Sequence, residues 1–250
     1  MNTTQIGDGP VRFVFLHGLF GRGRNWTTIA RALLPQTSLL VDLPNHGGSG
    51  WTDRFSYPEM ARTVAELLAG LPEPPCLVGH SMGGRTAMLV AVTYPDLVSR
   101  LVIEDAAPVT QPMDEFVAYA DAMARLPLDQ IRNRAQARDW LRQSVPDERT
   151  MLFLLQNLQR DHDGGWHWTA NLDVLRRDMA KVGVWDATDR VYDGPVLWIT
   201  GEQSTQTNPG QTIQMKQHFP QLRHLSIAGA GHWVHADQPD AFIQVLRDFV

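Results

Sequence analysis

Short runs of apolar and β-branched residues alternate along the chain with longer stretches of helical spacing. The runs are Val11 to Leu16, Ser38 to Asp42, Pro75 to Val78, Arg100 to Asp105, Val196 to Thr200 and Arg223 to Ile227. Near-continuous apolar strands separated by helices predict an α/β fold with a mostly parallel central sheet and helices on both faces. Ser56 and Glu59 form a capping-box pattern ahead of Met60, Val64, Leu67 and Leu68, which predicts a crossover helix. Asn208 and Pro209 open another, since Asn caps a helix and Pro fits its first position. A last helix from about Pro239 carries Phe242, Val245, Leu246 and Phe249 on one face.

The rhythm breaks between about Pro108 and Asp193. No strand pattern appears there, and helical segments run through Phe116, Ala120 and Met123, through Trp140 and Leu141, and through Leu152, Leu155 and Leu158. This reads as a helical insertion, giving a core of residues 1–108 and 194–250 and a cap of residues 109–193. In parallel sheets ligands bind at the carboxyl ends of the strands, so an insertion leaving from that end covers the site as a lid. Within it, Trp166 and Trp168 are candidates for the substrate surface, with packing of the cap onto the core as the alternative.

Composition narrows the function classes. The chain has 250 residues, and with 22 Lys+Arg against 27 Asp+Glu its formal charge is −5. No basic run could track a phosphate backbone, so no nucleic-acid partner is expected. The opening MNTTQIGDGP lacks a signal-peptide pattern, and no apolar stretch is long enough to span a bilayer. A cytoplasmic monomer is the expectation. The single cysteine, Cys76, lies in an apolar run and reads as a buried thiol. No His-x-x-x-His pair falls on a predicted helix, so neither metal nor cofactor is expected.

The strongest chemical signal is Gly79-His80-Ser81-Met82-Gly83, directly after an apolar strand and before a helical run. A serine on a sharp strand-to-helix turn needs small neighbours, which Gly79 and Gly83 supply, and the helix dipole favours an anion there. Acyl transfer builds negative charge on the former carbonyl oxygen, which needs two fixed donors. The backbone N–H groups of Met82 and of Leu19, in His17-Gly18-Leu19-Phe20-Gly21, are the candidates. His17 braces that loop, and Phe20, His80 and Trp233 join the two cap tryptophans as candidate pocket residues.

A serine hydroxyl is a weak nucleophile, so an imidazole must take its proton. His232, in Gly229-Ala230-Gly231-His232-Trp233 after the last predicted strand, is the candidate base. His46 reads as structural and His235 as a group behind the base. For the acid, the loop after Val196 to Thr200 reads Gly201-Glu202-Gln203-Ser204 and offers no aspartate, whereas Asp105 ends the preceding strand. Neighbouring strand tips are about 4.8 Å apart, so either carboxylate could serve the same imidazole. Asp105 is preferred, with Glu202 as the alternative, and Glu104 alternates to the other side of its strand.

Taken together, His17 to Gly21, Asn45-His46-Gly47, Gly79 to Gly84, Asp105-Ala106-Ala107-Pro108-Val109, Trp166 to Leu172 and Gly229 to His235 resemble the α/β-hydrolase superfamily. Within it they are similar to a group of small bacterial and mitochondrial serine esterases. The resemblance implies the α/β-hydrolase fold, with the cap inserted after the sixth strand, and a triad of Ser81, Asp105 and His232. It also implies hydrolysis of carboxylic esters of small to medium acyl chains, with acyl thioesters as an extension. A thioester of coenzyme A would want cations at the pocket mouth, for which Arg22, Arg24 and Arg85 are candidates. The alternative is a C–C bond hydrolase, or a lyase of the menaquinone-pathway succinyl-cyclohexadiene carboxylate synthase type, using the same triad. A catalytically silent binding protein would lack a reactive Ser81.

Overall fold

Residue alternation in the strand Val11–Leu16 sets up the core. Phe13 and Phe15 turn to one face and pack with Trp26, Leu33, Leu246 and Phe249. Val14 and Leu16 turn to the other and join Met60, Val64, Leu68 and Met88. This strand is β2, and the computed structural model, which describes residues 1–185 and 189–250, places it inside a seven-stranded sheet. The core of the chain runs β1 (Thr3–Ile6), β2, α1 (Thr27–Ala32), β3 (Thr37–Val41), α2 (Tyr57–Ala69), β4 (Cys76–His80), α3 (Met82–Thr93) and β5 (Arg100–Glu104). There follow α4 (Asp114–Ala124), α5 (Arg134–Leu141), α6 (Glu148–Leu155), β6 (Leu158–Arg160), β7 (Trp166–Trp168), α7 (Leu172–Arg177) and α8 (Met179–Gly183). The sheet resumes with β8 (Val196–Gly201), α9 (Thr212–His218), β9 (Leu222–Ile227), α10 (Val234–Asp237) and α11 (Pro239–Phe249).

Strand order is β1-β3-β2-β4-β5-β8-β9, parallel throughout except that β1 runs antiparallel to β3. Every apolar run therefore forms a strand of this sheet. The strand β1 left no apolar signal, because Thr3, Thr4 and Gln5 lie exposed along the sheet edge. Ser56 caps α2 by accepting from the Glu59 N–H, and Asn208 caps the short turn that leads into α9.

The helical segment leaves the sheet after β5. This corrects the expected position after a sixth strand, because among the described residues five strands, β1 to β5, precede the segment. The segment is also not wholly helical. The strands β6 and β7 pair antiparallel, Leu158 opposite Trp168 and Arg160 opposite Trp166. Three-residue strands are too short to display an alternation, and their turn is closed by the Asp161 N–H on the Gly165 carbonyl at 2.8 Å, with Gly164 at φ +91°. The expected cap, 109–193, includes residues 186–188, which lie outside the described residues.

Candidate active site

The register fixes where the chemistry collects. His80 on β4 stands opposite Glu104 on β5, so the next residues, Ser81 and Asp105, sit at adjacent strand tips. Both leave the strand with positive φ, Ser81 at 52° and Asp105 at 46°, and Phe20 after β2 does the same at 58°. Such backbone costs on the order of 1–3 kcal/mol per residue and persists only where its surroundings hold it. The Ser81 N–H donates to the Glu104 carbonyl at 3.0 Å, and the Asp105 N–H donates to the Ile199 carbonyl at 2.8 Å. The elbow glycines are obligatory, as the sequence argument required. A Cβ on Gly79 would lie 2.3 Å from the Gly83 carbonyl oxygen, and one on Gly83 would lie 2.5 Å from that of His17.

His232 and Asp105 are joined directly, Nδ1 to Oδ2 at 2.6 Å, with the carboxylate fully buried. Two hydroxyls from the loop after β8 complete its shell, Ser204 at 2.5 Å and Thr207 at 2.6 Å. Glu202, the alternative acid, points elsewhere and accepts from the Gly229 N–H at 2.9 Å. Glu104 faces the opposite side of its strand. There it accepts from both the backbone N–H and Nδ1 of His235, each at 2.8 Å. Two neighbouring carboxylates thus hold His232 in its loop and His235 on α10.

Three more histidines lie close by, each hydrogen-bonded to the backbone. His17 donates from Nδ1 to the Gly18 carbonyl at 2.8 Å and accepts the Leu43 N–H at Nε2. Burial lowers its pKa to about 4. His46 accepts the Phe20 N–H at 3.2 Å, and burial together with nearby His17 lowers its pKa to about 3. His80 is pushed well below the usual histidine range by burial and by the adjacent His232 and His235. Its Nε2 donates to the His232 carbonyl at 2.9 Å. Cys76 is buried, which raises its thiol to about 12 and removes it from reactivity.

Ser81 and His232 front one narrow cavity of about 10 Å³, which is about the room of one water molecule. Its walls are Leu19, Phe20, Phe116, Tyr119, Phe153 and Leu154, with His80 and Trp233 alongside. A wider cavity of about 270 Å³ adjoins it, sharing His80, Phe153 and Trp233 and adding Asn25, Arg149 and Gln156. Of the residues the sequence singled out, Leu19, Phe20, His80 and Trp233 line these cavities. Trp166 and Trp168 do not. Trp168 is buried in the larger core cluster and Trp166 packs against it under Arg134 and Arg160, so neither lines these cavities. Arg85 is also no mouth cation, since it is buried and donates to the Gly183 carbonyl at 2.9 Å.

The model of the alpha/beta hydrolase family matches residues 13–245. The chain belongs to that family. Within the family it is similar to proteins named as esterases and lipases. The sn-1-specific diacylglycerol lipase ABHD11 of Mus musculus is 37% identical over 246 residues, covering 95% of this chain and 80% of that one. Esterase YbfF of Escherichia coli is 33% identical, covering 98% and 94%. Among solved structures, a marine microorganism esterase superposes with a TM-score of 0.95 at 30% identity, covering 100% of this chain and 98% of that one. As in other alpha/beta hydrolases, the loops that carry the candidate residues follow the carboxyl ends of parallel strands. No helix among the described residues is long and apolar enough to cross a membrane.

Proposed function

We propose that Ser81 is the nucleophile, His232 the base and Asp105 the acid of a serine hydrolase. The enzyme is a carboxylesterase-type hydrolase that cleaves esters. The observation that carries the residue assignment is the buried Asp105 carboxylate on Nδ1 of His232, the histidine that lines one cavity with Ser81. With Nδ1–H committed to Asp105, Nε2 is left to accept the Ser81 proton as Oγ attacks the acyl carbon. The imidazolium then gives that proton to the departing alcohol oxygen. Water attacks the acyl-enzyme through the same base, releasing the acid and restoring the Ser81 hydroxyl.

The oxyanion donors are the N–H groups of Leu19 and Met82. A trans peptide is planar, so fixing its carbonyl fixes its N–H in the opposite direction. The Gly18 carbonyl accepts from Gly21 N–H at 2.9 Å and from His17, which sets the Leu19 N–H. The Ser81 carbonyl accepts the Arg85 N–H at 3.0 Å inside α3, so the Met82 N–H projects from the helix N-terminus.

Residues 109–193 act as a lid whose helix α6 supplies Thr150, Phe153 and Leu154 to the Ser81 cavity. The narrow Ser81 cavity receives the reacting carbonyl, and small to medium acyl chains extend into the wider cavity beside it. Thioesters of the same acyl groups are substrates of the same machinery. The C–C hydrolase or lyase alternative is not favoured, since relatives such as the diacylglycerol lipase and Esterase YbfF are named for ester hydrolysis. A series of p-nitrophenyl esters from acetate to laurate, run on the parent and on Ser81→Ala, tests the reading. The parent is expected to prefer the shorter chains and the variant to lose turnover. An active Ser81→Ala enzyme would refute it.

A further inference from the structure

Asp237 sits at the end of α10 with its side chain largely but not fully buried, and its two oxygens serve two different parts of the molecule. Oδ2 accepts the backbone N–H of Gly231 at 2.8 Å, immediately before His232. Oδ1 pairs with Arg149 on α6. The same helix carries Phe153, which meets the Trp233 ring at a centroid distance of 5.5 Å, and the Arg149 guanidinium lies 5.8 Å over that ring. On its far side the His232 backbone is held by His80, and α10 beyond it by Glu104. Gly231 is therefore tied to α10 by a side chain, immediately ahead of His232.

We infer that Asp237 is a positioning residue for the base: one oxygen fixes the backbone leading into His232, while the other docks the substrate-side helix α6 against that same loop. The inference rests on the assignment of His232 as the base. A carboxylate accepting a backbone N–H is a strong, charge-assisted contact. The Arg149 contact is half exposed, so it is screened and weaker. Loss of the first displaces the imidazole from Ser81 and slows the chemical step. Loss of the second loosens the wall of the substrate cavity and acts on substrate binding.

The test measures kcat and KM on p-nitrophenyl butyrate, and the rate of Ser81 labelling by a fluorophosphonate, for Arg149→Met, Asp237→Asn and Asp237→Ala. Asn keeps a weaker acceptor for Gly231, whereas Ala keeps none. The expected kcat order is parent, Arg149→Met, Asp237→Asn, Asp237→Ala, the last lower than the parent by about 10- to 100-fold. Labelling rates should follow the same order, and Arg149→Met should move KM more than kcat. If Asp237→Ala does not fold, the gap between Asp237→Asn and Arg149→Met decides. Asp237 variants with kcat no lower than that of Arg149→Met would overturn the inference. An active His232→Ala enzyme would instead overturn the assignment of the base.

Discussion

At the scale of single residues, position along one strand decides between two adjacent carboxylates. Glu104 and Asp105 point to opposite sides, Asp105 taking His232 in the loop and Glu104 taking His235 on α10. On the proposed assignment the charge of Asp105 holds the imidazole in one tautomer and stabilises the imidazolium, so Asp105→Asn should lower kcat about 10⁴-fold while thermal melting shows a folded protein. Glu202→Gln, outside the site, should stay near the parent rate; the reverse ranking would exchange the two roles. Gly83→Ala probes the elbow itself. Its Cβ would press on the carbonyls of His17 and Leu16, which are backbone and cannot swing aside. A loss of about 3 kcal/mol in urea unfolding is expected, and an unchanged midpoint would count against a tightly constrained elbow.

At the scale of elements, what could be read in advance was local. The elbow, the glycine loop and the strand ends announce themselves because steric limits on a turn select residue types at fixed spacing. Contacts between loops have no such signature. Ser204 and Thr207 hold Asp105 from the loop after β8, but a serine or threonine in a loop is ordinary in sequence. Asn157 is likewise silent. It is fully buried after α6 and donates to the Phe20 carbonyl at 2.7 Å, bracing the loop that carries Leu19 and Phe20. The cap tryptophans misled for the opposite reason: aromatic residues signal both core and binding surface, and here the hairpin turns them into the packing. Ser204→Ala combined with Thr207→Val should lower kcat by about tenfold or more, since each removes a hydrogen bond to a buried charge. Parent-like kinetics of the double variant would show that His232 alone suffices to hold Asp105.

At the scale of the whole molecule, the sheet gathers neutral histidines beneath the site, and this has a consequence for stability. His17 and His46 titrate at about 4 and about 3 when folded, against about 6.5 when unfolded. The unfolded chain therefore binds protons first, and their contribution, fully present above pH 6.5, is lost as pH falls towards 4 and then 3. The buried His80 adds to the same trend. Melting temperature should hold between pH 7 and 8 and fall steadily below 6.5; a flat profile to pH 4.5 would contradict neutral histidines in the fold.

The parallel order of the sheet was legible from its apolar runs, whereas the antiparallel edge strand β1 was not, because an exposed edge needs no apolar residues. On the proposed assignment Ser81 alone is activated, by His232 in the cavity they share. Reaction with a fluorophosphonate, followed by intact mass and peptide mapping, tests it most directly. One adduct on Ser81 is expected, absent in Ser81→Ala and slowed by orders of magnitude in His232→Ala. An adduct on another residue, or labelling at the parent rate without His232, would contradict it.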